Sequence, residues 1–257
     1  MSGLATLLRK ELLESWRTRR LPVAVVLFAI IGIISPLTAR YLPEIMKAAL
    51  GDQLTIPIPT PTSADAIAQL QKNLGQFGAF AAIALAMGSV APEKDRGTAA
   101  FILTKPASRA AFLGAKLIVL AIVLLISTTL AILVGWAYTA VLFEVQPFGG
   151  WLALAELAWL ALLVWASITF LASTLTRSMA AAAGVGFGSL IVLSVVAAIP
   201  PVGRWLPGGL DLAASLLALG KVEAVDWATL GTAVAGSIAL VILMVVASWL
   251  AFRRQEL

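Results

Sequence analysis

Long apolar runs separated by short polar breaks set the reading of this chain. They cover residues 21–40, 75–92, 111–143, 151–175, 179–199 and 227–252, and each is near or above the ~17–25 residues that cross a bilayer as a helix. The pattern predicts an all-α, polytopic membrane protein: one transmembrane domain over 1–257 with six transmembrane helices. The run 75–92 is short and rich in Ala and Gly, and a helix opening near Ser63 or Asp65 supplies extra length. The run 111–143 extends back to Ser108 and would reach about 50 Å as one helix, so its first turns stand outside a hydrocarbon core of about 30 Å. A kink is expected at Pro36.

The breaks carry patterns of their own. Over residues 1–20, Leu4, Leu7, Leu8, Leu12 and Trp16 gather on one helical face and Arg9, Lys10, Glu14, Arg17 and Arg20 on the other, with Glu11 and Leu13 out of place. A basic face opposite a Trp-bearing apolar face predicts an interfacial helix. Residues 41–73 read as a polar external loop with Pro57, Pro59 and Pro61 in an extended stretch. Gln146, Pro147, Gly149 and Gly150 read as a tight external turn. In 200–226, Pro and Gly interrupt the pattern around an apolar helix, Leu210–Leu219, too short to span, which predicts an external re-entrant hairpin.

Residues 93–109 are the most informative break. Glu93, Lys94, Asp95 and Arg96 carry alternating charge that hydrocarbon does not accept; Gly97 turns the chain, Thr98 serves as an N-cap, and Ala99–Thr104, with Phe101 and Ile102, form a short apolar helix stopped before Pro106. Glu93 would fix the turn by capping amides or by pairing with a basic residue. Two readings stay open: a coupling segment whose helix docks in a partner's groove, or a solvated connector. Ser108 then opens the next helix, and Lys116 is expected to sit at, or snorkel to, the headgroups.

Composition narrows the chemistry. The chain is 61% hydrophobic and 12% charged, with no Cys and no His, which removes disulfides, thiolate or imidazole metal sites and His-based catalysis. Basic residues flank the spans. In a six-span arrangement one side holds thirteen Lys and Arg and the other only Arg40, Lys47, Lys72, Arg204 and Lys221, so both termini are expected in the cytoplasm and the chain in the cell membrane. That placement explains the formal charge of +5 without nucleic acid as a partner. Ionisable residues in or near the spans lie close to their ends, which argues against an ion-coupled carrier. Glu156 is the candidate for an intramembrane polar role, against an interfacial carboxylate facing headgroups. Gly184, Gly186 and Gly188 read as helix-packing positions. The one Gly-Lys pair, Gly220-Lys221, has Ser215 where a phosphate-binding loop needs Gly. No catalytic or metal site, and no cofactor, is expected in this chain.

Taken in order, Arg9-Lys10-Glu11-Leu12, Ser35-Pro36-Leu37-Thr38-Ala39, Leu42-Pro43-Glu44, Glu93-Lys94-Asp95-Arg96-Gly97-Thr98, Leu103-Thr104-Lys105-Pro106-Ala107-Ser108-Arg109 and Lys116 resemble the permease subunit of type-2 ATP-binding-cassette exporters. The segment Leu206-Pro207 to Gly220 is similar to that family's external hairpin. The resemblance implies a half-transporter with an elbow helix at 1–20, including Arg9, Lys10, Glu11 and Trp16, and a coupling helix around 93–104. It implies a second permease copy, surrounding membrane lipids, and a separate ATPase subunit that binds ATP and Mg. Family substrates include lipids, polysaccharides, peptides and drugs; a lipid-like, peptide or drug substrate is expected here. An ATP-independent carrier or channel, or a membrane anchor or assembly protein, is the alternative.

Overall fold

The computed structural model describes residues 2–50, 60–98, 101 and 108–255, and of Ser2, Leu50 and Pro200 only the backbone. The helices are α1 (Ser2–Arg17), α2 (Arg20–Leu50), α3 (Ser63–Asn73), α4 (Ala79–Met87), α5 (Ala91–Asp95), α6 (Arg109–Leu142), α7 (Phe148–Leu175), α8 (Met179–Ala197), α9 (Pro200–Gly203), α10 (Leu210–Ala218) and α11 (Trp227–Arg253). A π-helical turn, Leu74–Gly78, joins α3 to α4. Among the described residues there is no strand. Six segments are long and apolar enough to cross a membrane: Arg20–Ala49, Ser63–Asp95, Arg109–Leu142, Phe148–Leu175, Met179–Ala197 and Trp227–Arg253.

Start signals in the sequence account for several helix ends. Thr62 donates both its N–H and its hydroxyl to the Asp65 carboxylate at 2.7 Å, closing the start of α3. Ser108 accepts from the Ala111 N–H at 3.0 Å at the start of α6, and Asp226 accepts from Ala228 and Thr229 N–H at the start of α11.

Two expectations are corrected. The helix of the first span does not stop near Arg40 but runs through Pro36 and Pro43 to Leu50, so part of the expected loop is helix. Tyr41–Leu50 offers helix formers and Ile45 on a chain already helical, and Arg40, Glu44 and Lys47 are tolerated because this end stands clear of the packed bundle, with Tyr41, Leu42 and Ile45 all exposed. Gly149 and Gly150 lie inside α7 and not in a turn. A Cβ on Gly150 would sit 1.9 Å from the Leu217 carbonyl oxygen; glycine there lets the backbone of α10 rest on α7. Pro57 and Pro59 lie outside the described residues.

Helix α7 is the centre of the bundle. It packs against α4, α6, α8, α10 and α11, and Trp151, Leu154, Leu162 and Phe170 along it are buried with Phe28, Leu124 and Ile132 of the neighbours. Small residues set the close approaches: a Cβ on Gly32 of α2 would lie 2.4 Å from the Ala131 carbonyl oxygen of α6. Gly186 packs α8 against Thr169 and Ile83, whereas a Cβ on Gly184 or Gly188 would meet open space. The outward faces of α8 and α11 carry exposed Val185, Ile191, Val195, Ile242 and Leu243, a surface suited to hydrocarbon. Both termini and α5 lie at one end of the bundle, held there by contacts described next; the 143–147 connector and α10 lie at the other.

Candidate functional site

The site is a junction at the terminal end, where α1, α5 and the start of α6 meet. Helix α1 ends in a sharp reversal: the Thr18 hydroxyl and N–H both donate to the Glu14 carbonyl, and Arg19 adopts a φ of 60°, left-handed backbone that is uncommon outside glycine. That corner folds α1 back against α6. Leu7 and Leu8 pack inward, while Leu12, Leu13 and Trp16 stay exposed.

Between these elements lies a shared ion cluster. Lys116 of α6 is only 5% exposed, and its Nζ donates to Glu93 Oε1 at 2.7 Å and to Glu11 Oε1 at 3.0 Å. Lys10 Nζ reaches Glu11 at 2.8 Å, Glu14 at 2.9 Å and Glu93 at 3.3 Å. The carboxylate oxygens of Glu11, Glu14 and Glu93 lie within 4.8 Å of one another, a repulsive arrangement that the two ammonium groups offset together with the charge of Arg20 near Glu14. Glu93 Oε2 is buried with no hydrogen-bond partner, so this carboxylate depends on its pairing through Oε1. Lys116 also stands 5.0 Å from the Phe112 ring, which stacks on Phe252 at 5.6 Å.

The titration behaviour follows. Burial works against the charge on Lys10, but its hydrogen bonds to Glu11 and Glu14 and the charges of Glu93 and Glu11 prevail and hold its pKa above the ordinary lysine value. Burial raises the Glu14 carboxyl, and the Lys10 hydrogen bond with the charges of Lys10, Lys116 and Arg20 prevails and leaves it below the ordinary value. By linkage, the Glu14 contribution is full above its unfolded pKa and lost as pH falls through the folded one. The Lys10 contribution is present below its unfolded pKa and lost only above the folded one. The junction is therefore expected to hold at neutral pH and to loosen in acid. The distance between a spin-label pair placed across α1 and α6 is expected to lengthen and broaden as pH falls below the ordinary glutamate range; a distance distribution unchanged there would contradict this.

A second set of contacts ties α5 to the ends of α7 and α11. The Ser173 hydroxyl donates to the Met87 carbonyl and accepts from the N–H groups of Val90 and Ala91, at 2.9–3.1 Å, satisfying the break between α4 and α5. Lys94 Nζ donates to the Thr174 carbonyl at 2.6 Å, placing a cation at the C-terminus of α7. Gln255 donates to the same carbonyl. Arg109 donates to the carbonyls of Phe252, Arg253 and Gln255 at 2.9–3.1 Å, clamping the end of α11 to the start of α6.

The residues expected at this end divide cleanly. Glu93, Lys10 and Glu11 face into the junction; Lys94 reaches the C-terminus of α7; Asp95, Arg96, Gly97, Thr98, Arg9 and Trp16 are exposed. Gly97 has a φ of 69°, the left-handed turn that its sequence position suggested. Thr98 is not the N-cap. The Gly97 carbonyl accepts from the Phe101 N–H, and the Thr98 hydroxyl donates back to the Glu93 carbonyl at 3.2 Å, because the positive φ starts the next turn one residue earlier. Phe101 is 66% exposed. Ile102 lies outside the described residues, as do Ala99, Ala100, Leu103, Thr104, Lys105, Pro106 and Ala107. Glu156 lies exposed on α7, away from the junction.

Lys116 is the principal correction: it is buried in the junction and does not snorkel. Ser173, Thr174 and Gln255 are contributors that sequence reasoning missed; Arg109, named there within the 93–109 motif, is the clamp between α6 and α11. One signal was present in the sequence. Glu11 broke the amphipathic pattern of α1, and it is this residue that turns inward to Lys116.

An all-α bundle with six membrane-crossing segments and a charged junction of helix ends defines a polytopic membrane protein. Residues 5–204 match the family model described as "ABC-2 family transporter protein", and the chain belongs to that family, a class of membrane transport components. It is also 29% identical to the "Uncharacterized transmembrane protein YxlG" of Bacillus subtilis (strain 168), over all of this chain and 99% of that protein.

Proposed function

We propose that this chain is the permease half of an ATP-driven exporter, paired with a second permease copy and driven by a separate ATPase subunit that binds ATP and Mg. Residues 93–104 meet the ATPase, and the substrate is lipid-like, a peptide or a drug. The observation that carries this reading is the junction itself: Glu93, four residues before the exposed turn at Gly97, is locked to the base of the long helix α6 through Lys116. Movement imposed on the exposed turn then reaches α6 directly instead of dissipating in a loose connector. Both termini lie in the cytoplasm, with the chain in the cell membrane. The thirteen basic residues on the terminal side, against five on the other, support that orientation.

Two experiments test it. Reporter fusions after Arg109 and Arg177 are expected to read as cytoplasmic and those after Gly150 and Gly220 as external; a cytoplasmic signal after Gly150 would overturn the arrangement. The purified chain is expected neither to bind nor to hydrolyse ATP, and to acquire both activities when co-purified with an ATP-binding-cassette ATPase encoded beside it. Contaminant-free turnover by this chain alone would remove the half-transporter reading.

A further inference from the structure

At the end of the bundle opposite the termini, a cleft of about 170 Å³ opens between the π-helical turn, α7 and α10. Its walls include Leu154, Leu157, Ala158 and Trp165, and its polar side chains are Gln71 and Asp211. The extra residue of the π turn widens this edge of the α3–α4 segment, and Gly75, which also lines the cleft, has nothing within 4 Å of the position a Cβ would take. Such turns are rare inside helices and concentrate at functional positions. Gln71 holds the lid of the cleft in place: its Nε2 donates to the Asp211 carbonyl at 2.8 Å, and its Oε1 accepts from the Ser215 hydroxyl.

The Asp211 carboxylate has no ion-pair partner among the described residues. It is exposed at the rim of the cleft, and the protein packed beside it pushes its pKa up to about 6. Its place in the first turn of α10 does not account for this, because the helix N-terminus acts in the opposite direction on a carboxyl. The cleft therefore sets a carboxylate without a counter-charge at the rim of an apolar wall.

We propose that this cleft binds a small organic cation with an apolar body, its ammonium group on Asp211 and its apolar part along Leu157, Ala158 and Trp165. A few polar groups fixing orientation within an apolar pocket is the usual make-up of a small-molecule site. The proposal goes beyond the transport assignment and does not depend on it, since binding needs no ATPase.

The test uses the full chain in nanodiscs of digalactosyldiacylglycerol, an uncharged lipid without an ammonium group, titrated calorimetrically with benzyltrimethylammonium and with its neutral carbon isostere, against empty nanodiscs. Saturable binding of the cation is expected, weakened at least about tenfold by the isosteric substitution Asp211→Asn, while the neutral isostere binds both proteins alike. Ala158→Phe, which fills the cleft, is expected to abolish cation binding, with folding checked by melting temperature. Should that variant unfold, Asp211→Asn still decides the matter. Equal cation affinity for wild type and Asp211→Asn, or no saturable binding above the empty nanodisc, would overturn the proposal.

Discussion

Lys116→Met is expected to be the most destabilising conservative-volume change in the protein, lowering the apparent melting temperature by about 6–12 °C in detergent. The wild-type ammonium is 5% exposed and bridges Glu93 and Glu11 at 2.7 and 3.0 Å. Methionine keeps the packing of the aliphatic stem and removes the charge. Glu11, Glu14 and Glu93, with oxygens within 4.8 Å of one another, are then left with Lys10 as their one ion-pair partner, helped by the charge of Arg20 near Glu14. Removing one partner of a buried pair costs about 3–5 kcal/mol because the other charge stays buried and uncompensated. The half-exposed Lys10 keeps the loss near the lower bound. Adding Glu93→Gln is expected to recover part of the loss, since it removes one of the stranded anions. A melting temperature unchanged in Lys116→Met would mean that the pairs in the junction contribute nothing.

The reason Lys116 escapes a reading of the sequence is physical. Its partners lie 23 and 105 residues away, and no local periodicity reports which of two helices a long side chain will meet. A lysine near a span end therefore reads as an interfacial cation, the commonest solution for such a residue. The spans themselves were legible because each is a long apolar run, and Gly186 was legible as a packing position because glycine in an apolar helix has few other uses. The first span was read too short because Arg40, Glu44 and Lys47 look like a loop when charge is taken as the boundary, although a helix already propagating needs only ordinary helix formers to continue. Gly150 misled for a related reason: a Gly-Gly pair after proline is a turn signal, and only the Leu217 carbonyl across from it shows that close helix approach is the operative constraint. Glu11 shows that a residue out of place on an amphipathic helix marks a tertiary partner.

The exposed turn beyond the junction carries the second large effect, and here two substitutions separate binding from transmission. Phe101 presents 66% of its surface at the terminal end of the bundle, and covering an aromatic side chain of this kind in a partner's groove contributes about 1.5–3 kcal/mol. Phe101→Ala is therefore expected to weaken co-purification of the ATPase by up to about a hundredfold. Gly97→Val acts differently. With φ at 69°, a β-branched side chain is strained whatever the space around it, at about 1–2 kcal/mol for the left-handed region and more for the branch. The turn relaxes toward negative φ, and that change swings the segment after residue 97 relative to Glu93, whose pairing with Lys116 is untouched. The complex is expected to assemble while transport slows. If both variants retain the ATPase and transport at the wild-type rate, the segment is a solvated connector, and the drive reaches α6 by another route.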